Sequence, residues 1–476
     1  AIILKWHGLY QQKPIDSGLF MLRIKLPNGI IKFDQLKTIL NISRRVGLNI
    51  IDLTTRQNIQ LRSIELENLP FVFSELSKSG LFSHGSCGDN VRNVIGCPIS
   101  GLSNGKMEVV NTIPLAKKIT TSFLANPNYA NLPRKFKIAL CGCTRHCVPY
   151  EINDIGLVAT TNNNDNIGYQ LFAGGGLSSQ PQIAKNLNIW IPQENIIETI
   201  TKIIDIFNDF GNRFNRKKAR LKHLISDWGT DKFLMELENR LNKPLYFENY
   251  LNNETFSKVD HMEIHPQKDP NYCYIGLPVK VGRISSDQLE KLIDIISIYK
   301  DVGIRITHYQ NIIITNIPVN QISRVIENLR FVDFLNKNNS WSGKVISCTG
   351  KEFCNRALTE TKNIGVKIID ALDKFKLDDD ITIGISGCSN DCGQNRISDI
   401  GIQGVYSKSD DSSNEKFNIS VKKNGNNNYF NELIMKKINK NELDTLILNI
   451  LTDYSSRKLK NETFNNYASR CLSEEF

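Results

Sequence analysis

The chain carries one plan twice, and any fold it adopts has to accommodate two copies of it. Cys143-Thr144-Arg145-His146-Cys147, with Ile152-Asn153-Asp154-Ile155-Gly156 behind it, recurs as Cys388-Ser389-Asn390-Asp391-Cys392 with Ile397-Ser398-Asp399-Ile400-Gly401, at a constant offset of 245 residues. Upstream, Val94-Ile95-Gly96-Cys97 matches Val345-Ile346-Ser347-Cys348 at an offset of 251, and Gln57-Asn58-Ile59 echoes Gln310-Asn311-Ile312 at 253. Each copy opens on alternating apolar positions, as in Phe20-Met21-Leu22-Arg23-Ile24-Lys25-Leu26, the period of a half-buried strand. A helix is expected over 33–46 and strands over 50–61, which together read as a small αβ sandwich. The second copy repeats this from about 272 to 332, with its helix ending within 292–302, and a longer αβ region carrying cysteine loops follows each copy. Between the copies, periodicity predicts a helix over 217–241 and then an irregular linker over 242–271. The polar runs at 409–414 and 424–428 read as surface turns.

Four cysteines of the second copy, Cys348, Cys354, Cys388 and Cys392, stand as a C-x5-C and a C-x3-C pair. A [4Fe-4S] cube takes one thiolate per iron, so two close pairs on two loops make a complete ligand set. The flanking Ser347-Cys348-Thr349-Gly350 and Gly387-Cys388-Ser389-Asn390-Asp391-Cys392-Gly393 are rich in small residues, which lets backbone amides approach inorganic sulfur. A zinc site and buried free thiols are the competing readings, although zinc favours shorter knuckles. In the first copy Cys97, Cys143 and Cys147 occupy the matching positions, but Ser103 stands where Cys354 does, leaving Cys141 as the candidate fourth ligand. One copy thus reads as having kept a cluster and the other as having lost it.

Composition narrows the setting. A chain of 476 residues that is 40% hydrophobic and 23% charged has the profile of ordinary globular domains. It contains no apolar run long enough to cross a membrane, and its start lacks a signal-peptide layout, although an N-terminal piece could have been removed. Eleven clustered cysteines suit a reducing compartment, cytoplasm or organelle stroma, better than a secreted disulfide scaffold. The net charge of +10 favours acidic partners or anionic substrates. Nucleic acid is the usual alternative, but the basic residues are dispersed and no binding signature accompanies them.

Several segments together resemble the assimilatory sulfite and nitrite reductases: Cys348-Thr349-Gly350-Lys351-Glu352-Phe353-Cys354, Gly387-Cys388-Ser389-Asn390-Asp391-Cys392-Gly393-Gln394, Thr54-Thr55-Arg56-Gln57-Asn58, Asp89-Asn90-Val91-Arg92-Asn93 and Leu132-Pro133-Arg134-Lys135-Phe136-Lys137. The resemblance implies an α+β fold in a pseudo-two-fold arrangement. A ferredoxin-like domain is built from both halves (1–78 and 272–338), and two αβ lobes (79–241 and 339–476) flank it, joined through the 242–271 linker. It implies sirohaem bridged through the Cys392 thiolate to a [4Fe-4S] cluster held by Cys348, Cys354, Cys388 and Cys392. It assigns Arg56, Arg92, Lys135 and Lys137 to the anion on the iron, and Asn212, Arg213, Arg220 and Lys222 to the macrocycle's carboxylates. Alone, the basic run 212–222 reads as a solvated helix face or a weak nucleic-acid patch. Gly174-Gly175-Gly176 completes no phosphate-loop motif; the resemblance puts Gly175 and Gly176 beside the sirohaem. Cys87 falls either near the anion pocket or in the core as an ordinary thiol.

The resemblance implies six-electron reduction of sulfite to sulfide, with nitrite to ammonia as the alternative; within that family the Lys135-Phe136-Lys137 arrangement is typical of the sulfite reductases and favours sulfite. No flavin or nicotinamide module is visible, so the expected electron donor is a small acidic ferredoxin, a flavoprotein subunit being the competitor. No nucleic acid or membrane partner is expected, and the protein reads as a monomer. Two rivals remain at this level: a non-catalytic iron-sulfur protein of the same fold, and a basic RNA-binding protein.

Overall fold

The computed structural model describes residues 2–103, 107–250, 261–332, 334, 341–373, 375–377, 379–407, 414–424 and 429–472. The polar runs 409–413 and 425–428 lie outside them. Among the described residues there are four five-stranded sheets, and their composition makes the duplication physical. One sheet runs Leu9–Gln11, Leu19–Ile24, Ile59–Glu65, Ile50–Leu53 and finally Arg283–Ser285, a strand lent by the second copy. Its counterpart runs Glu263–Pro266, Tyr272–Leu277, Ile312–Pro318, Gly303–Ile306 and finally Ile30–Lys32, lent by the first. The exchanged strands pair antiparallel, Ile284 opposite Ile51 and Ile31 opposite Ile304. Neither half closes its sheet alone, and one continuous apolar core joins the two. The ferredoxin-like unit built from both halves is therefore as the resemblance implied.

The helices that cover these sheets follow from spacing. Phe33–Val46 buries Leu36, Ile39 and Ile42, and Ser286–Ile296 buries Leu289, Leu292, Ile293 and Ile296, each at the three-and-four interval of one helix face. Ser285 starts the second helix by accepting the Gln288 amide, while the Gln288 side chain returns to the Ser285 amide. The helix stops at Ile296, near the start of the range expected for its end.

Each lobe pairs three parallel strands with an antiparallel hairpin: Val91–Gly96, Phe136–Cys141 and Ile155–Thr161 in the first, Val345–Ser347, Ile383–Ser386 and Ile400–Val405 in the second. Val91–Gly96, at the edge of its sheet, and Ile383–Ser386, inside the other, are buried at every position, as parallel strands covered on both faces must be. Matched turns even share backbone conformation: His146 and Asp391 are both left-handed (φ 50° and 55°), as are Gln57 and Gln310 (φ 54° and 65°).

Two expectations need correction. The single helix over 217–241 is two, Leu221–Trp228 and Thr230–Leu241, because Gly229 at φ 78° breaks the ladder between them. The 242–271 stretch is not wholly irregular: Glu263–Pro266 forms the edge strand of the second sheet, and Tyr246 bridges to Trp190. A buried ion cluster fastens the second lobe to the first sheet. Asp52 takes Arg62 and Arg283 at 2.9 and 2.6 Å, with Lys362 at 3.7 Å. Burial alone raises this carboxyl, but Lys362, Arg62 and Arg283 hold it well below the usual carboxylate range.

Candidate active site

Cys348 and Cys388 sit just past two adjacent parallel strands, Val345–Ser347 and Ile383–Ser386, so their loops emerge side by side at the same sheet end. The Gly387 amide donates to the Cys348 sulfur at 3.2 Å, and the Asn390 side-chain amide lies 3.5 Å from the Cys388 sulfur. The turn is tight enough to exclude a side chain at Gly393, where a Cβ would fall 2.0 Å from the Ile385 carbonyl. Burial first, then the Cys392 charge, push the Cys348 thiol up to about 12. The Cys388 thiol is raised by burial as well, with Cys392 and Cys354 adding to it. Thiols so disfavoured as free anions lose their protons to a metal ion, so a cationic cluster suits this donor set.

The cations of the first copy face this loop. Arg56 stands in the turn between Ile50–Leu53 and Ile59–Glu65, and its neighbour Thr55 donates to the Cys392 carbonyl at 3.2 Å. Ser178 reaches Asn390 of the same loop at 3.4 Å. Arg92 lies on Val91–Gly96, and Lys135 and Lys137 open Phe136–Cys141, the strand beside it. Arg56 donates to Asn153 at 2.7 Å and to the Asn93 carbonyl; Arg92 donates to the carbonyls of Ser86 and Gly88 and toward the Tyr10 hydroxyl. By contrast, neither Lys135 nor Lys137 makes a side-chain hydrogen bond or ion pair among the described residues.

Crowding shows in the protonation equilibria. Burial, then Arg220, lower Lys135 to about 7, opposed by the nearby Cys392 charge. Lys137 is pushed well below the ordinary lysine range by burial, then by Lys135, Arg56 and Arg220. Arg56 falls to about 9 through burial and Arg92. A residue that the sequence did not single out joins them: Lys25, 2% exposed, donates to the Val91 carbonyl at 3.1 Å and is lowered to about 7 by burial, Arg92 and Arg56. Alternation had suggested an ordinary strand position there. The signal lay in tertiary packing, since the Lys25 amide bridges to Phe82 and the side chain runs under the first lobe.

The basic run 212–222 divides. Arg220 pairs with buried Asp154 through two hydrogen bonds of 2.9 and 2.7 Å, and Lys222 donates to the carbonyls of Gly176, Leu177 and Gln180; burial lowers it to about 8. Gly175 and Gly176 are pressed against this pair: a Cβ on Gly175 would fall 2.1 Å from the Glu151 carbonyl, and one on Gly176 2.8 Å from Arg220. Asn212 and Arg213 are exposed and bond to their own neighbours, Asn212 capping Phe214 and Asn215, and Arg213 holding Asn131 and Asn208. Cys87 is fully buried beside Ser86, one residue from the loop that receives Arg92. Cations in this number, with Asp154 facing Arg56, Lys137 and Arg220, leave net positive charge in a low-dielectric cleft. A macrocycle bearing many carboxylates, together with an anionic substrate, balances that charge.

Comparison with known proteins points the same way. A family model described as "Nitrite and sulphite reductase 4Fe-4S domain" matches residues 87–245 and 341–473, and one described as "Nitrite/Sulfite reductase ferredoxin-like half domain" matches 12–79 and 265–332. A "Ferredoxin--nitrite reductase" of Leptolyngbya laminosa is 34% identical over 420 residues, covering 87% of this chain and 81% of that protein. A "Sulfite reductase [ferredoxin]" of Mycobacterium tuberculosis strain H37Rv is 30% identical over 421 residues, covering 84% and 75%. The structure of the Mycobacterium tuberculosis NirA protein matches with a TM-score of 0.91 at 28% identity, covering 99% of this chain and 90% of that one.

Proposed function

The chain belongs to the nitrite and sulphite reductase family, oxidoreductases that carry sirohaem and a [4Fe-4S] cluster, and from that premise we propose that it reduces sulfite to sulfide with electrons from ferredoxin. When bound, the coupled sirohaem and cluster supply an open iron position and electrons one at a time. Cys348, Cys354, Cys388 and Cys392 hold the cluster, and Lys222 and Arg220 stand nearest the glycines assigned to the macrocycle.

The observation that carries the reading is the pair Lys135 and Lys137, two crowded lysine side chains with no hydrogen-bonded partner among the described residues. An arriving anion restores their protonation, because a negative charge about 4 Å from a cation is worth about 4 kcal/mol at an effective dielectric near 20. Lys135, poised at about 7, then holds a proton it can deliver to a departing oxygen, which leaves as water. Arg56 and Arg92, pinned by backbone carbonyls, fix positive charge at set positions and orient the anion. Sulfite is larger than nitrite and partly dianionic near neutrality, so a second lysine at position 137 suits it. Nitrite remains the second reading, favoured by the names of the relatives with the higher identities.

Dye-driven turnover of both anions by anaerobically purified protein tests the choice. We expect the larger kcat/KM for sulfite, and for Lys137→Asn a shift of about tenfold or more toward nitrite, the effect of a single charge contact. A ratio unmoved by the substitution overturns the assignment. With net charge +10, docking of an acidic ferredoxin weakens as salt rises, while dye-driven rates stay flat. Ferredoxin-driven rates insensitive to ionic strength refute electrostatic docking.

A further inference from the structure

The first lobe kept the cysteines of its loops without the C-x5-C partner, and the structure shows what they do instead. Cys97, Cys147 and His261 place a ligand atom each within 4.8 Å of the others, all three buried. The Cys97 sulfur is 3.6 Å from His261 Nε2, and the Cys147 sulfur 3.6 Å from the Cys143 sulfur. Cys143, in contact with Cys147, also neighbours Cys97, so it is the sulfur next in reach of the group. The Cys141 thiol, by contrast, is engaged with backbone, donating to the Cys143 carbonyl at 3.4 Å.

These separations identify an occupant. A single tetrahedral ion with metal–sulfur bonds of about 2.3 Å and a metal–nitrogen bond of about 2.0 Å sets neighbouring sulfurs about 3.8 Å apart and sulfur and nitrogen about 3.5 Å apart. A cube spreads its thiolates over four separate irons and needs them farther apart. In the second lobe no three of the four thiols form a group as tight as Cys97, Cys147 and His261 among the described residues. Charge agrees as well, since three thiolates and a divalent ion leave one negative charge, and Arg305 and Arg145 lie beside Cys97 and His261 respectively. His308, 2% exposed, sits near His261 with both ring nitrogens buried and without a hydrogen-bond partner among the described residues.

We propose that Cys97, Cys143, Cys147 and His261 form a tetrahedral zinc site in the first lobe, at the place where the second lobe holds its cluster. Soft thiolates with one imidazole in closed tetrahedral geometry select zinc among abundant divalent ions. The site is structural: three ligands come from the lobe, and the fourth from the connection between the copies, just before the edge strand Glu263–Pro266. Zinc there ties the inter-copy segment to the lobe and leaves no position for substrate.

The test uses untagged, full-length holoenzyme purified without added metal, with zinc and iron counted together and the zinc environment read by X-ray absorption at its own edge. We expect about one zinc per chain, with three sulfurs at about 2.3 Å and one nitrogen at about 2.0 Å. His261→Ala and Cys147→Ser should lose this zinc while iron, inorganic sulfide and the visible spectrum stay unchanged. Zinc near background, a shell dominated by oxygen, zinc retained in both variants, or iron lost with them would each overturn the site. Should the variants not fold, the wild-type absorption edge alone decides. Absence of the sirohaem spectrum bears on the enzyme reading and leaves the zinc count untouched.

Discussion

The two lobes share a sheet, a pair of loops and three matched cysteine positions, yet their chemistries have separated. In the second lobe the thiols are spread, half exposed and approached by backbone and side-chain amides; in the first they are buried and nearly in contact. Charge separates the halves as sharply. At the offsets of the duplication, Lys25, Arg56, Arg92, Lys135 and Lys137 correspond to Pro278, Tyr309, Gly343, Asp380 and Thr382. The scaffold underneath is conserved to the hydrogen bond: the Lys137 amide donates to Asp154 at 2.8 Å, and the Thr382 amide donates to Asp399 at 2.8 Å. Duplication thus fixes where side chains stand, and the residues placed there give one half the spread thiols and the other the cations.

The sharpest way to break this comparison is to substitute matched cysteines. Cys392→Ser should abolish turnover and remove the coupled iron spectrum, because it takes away the proposed cluster ligand nearest the cations of the first lobe. Cys147→Ser, at the matching position, should leave iron content and spectrum intact. Equal loss of iron in both would mean that the lobes are chemically equivalent. Next in size is Lys135→Met, which removes a proton donor but no ligand. We expect about 100- to 1,000-fold lower dye-driven turnover with an unchanged cluster spectrum. A loss under about tenfold would show that Lys135 does not face the reacting anion.

How much of this could be read from the chain depends on the range over which each feature is encoded. The duplication, the C-x5-C and C-x3-C pairs and the helix Phe33–Val46 are local patterns, and they stand where spacing put them. The exchanged strands Ile30–Lys32 and Arg283–Ser285 are three residues each, too short to carry a period, and their pairing is set by the sheet they complete. Lys25 looked like one more alternating position because nothing within its strand announces the lobe above it. His261 lay in a stretch without periodicity, and its partners are 114 to 164 residues away in the chain, beyond any motif. In 212–222, charge density marked the region, but only the fold separates exposed Arg213 from buried Arg220 and Lys222.

The smallest effect expected is on stability, and it isolates the cost of gathering cations in one half. Lys25 is held at about 7 in the folded chain against about 10.5 when unfolded, by burial and by Arg92 and Arg56. Between those values the unfolded chain binds the extra proton, so stability contributed at this position is fully present above about 10.5 and is lost as pH falls through about 7. Urea unfolding of the cofactor-free protein should therefore show midpoints rising from neutral to alkaline pH, less steeply in Lys25→Met. The cofactor-loaded protein should show a flatter rise still, since carboxylates of the macrocycle return the lysines toward their ordinary range. Pro278 holds the matching place in the second copy, so Pro278→Ala should leave the slope unchanged; a slope that follows Pro278→Ala and ignores Lys25→Met would place the titrating charge in the other half.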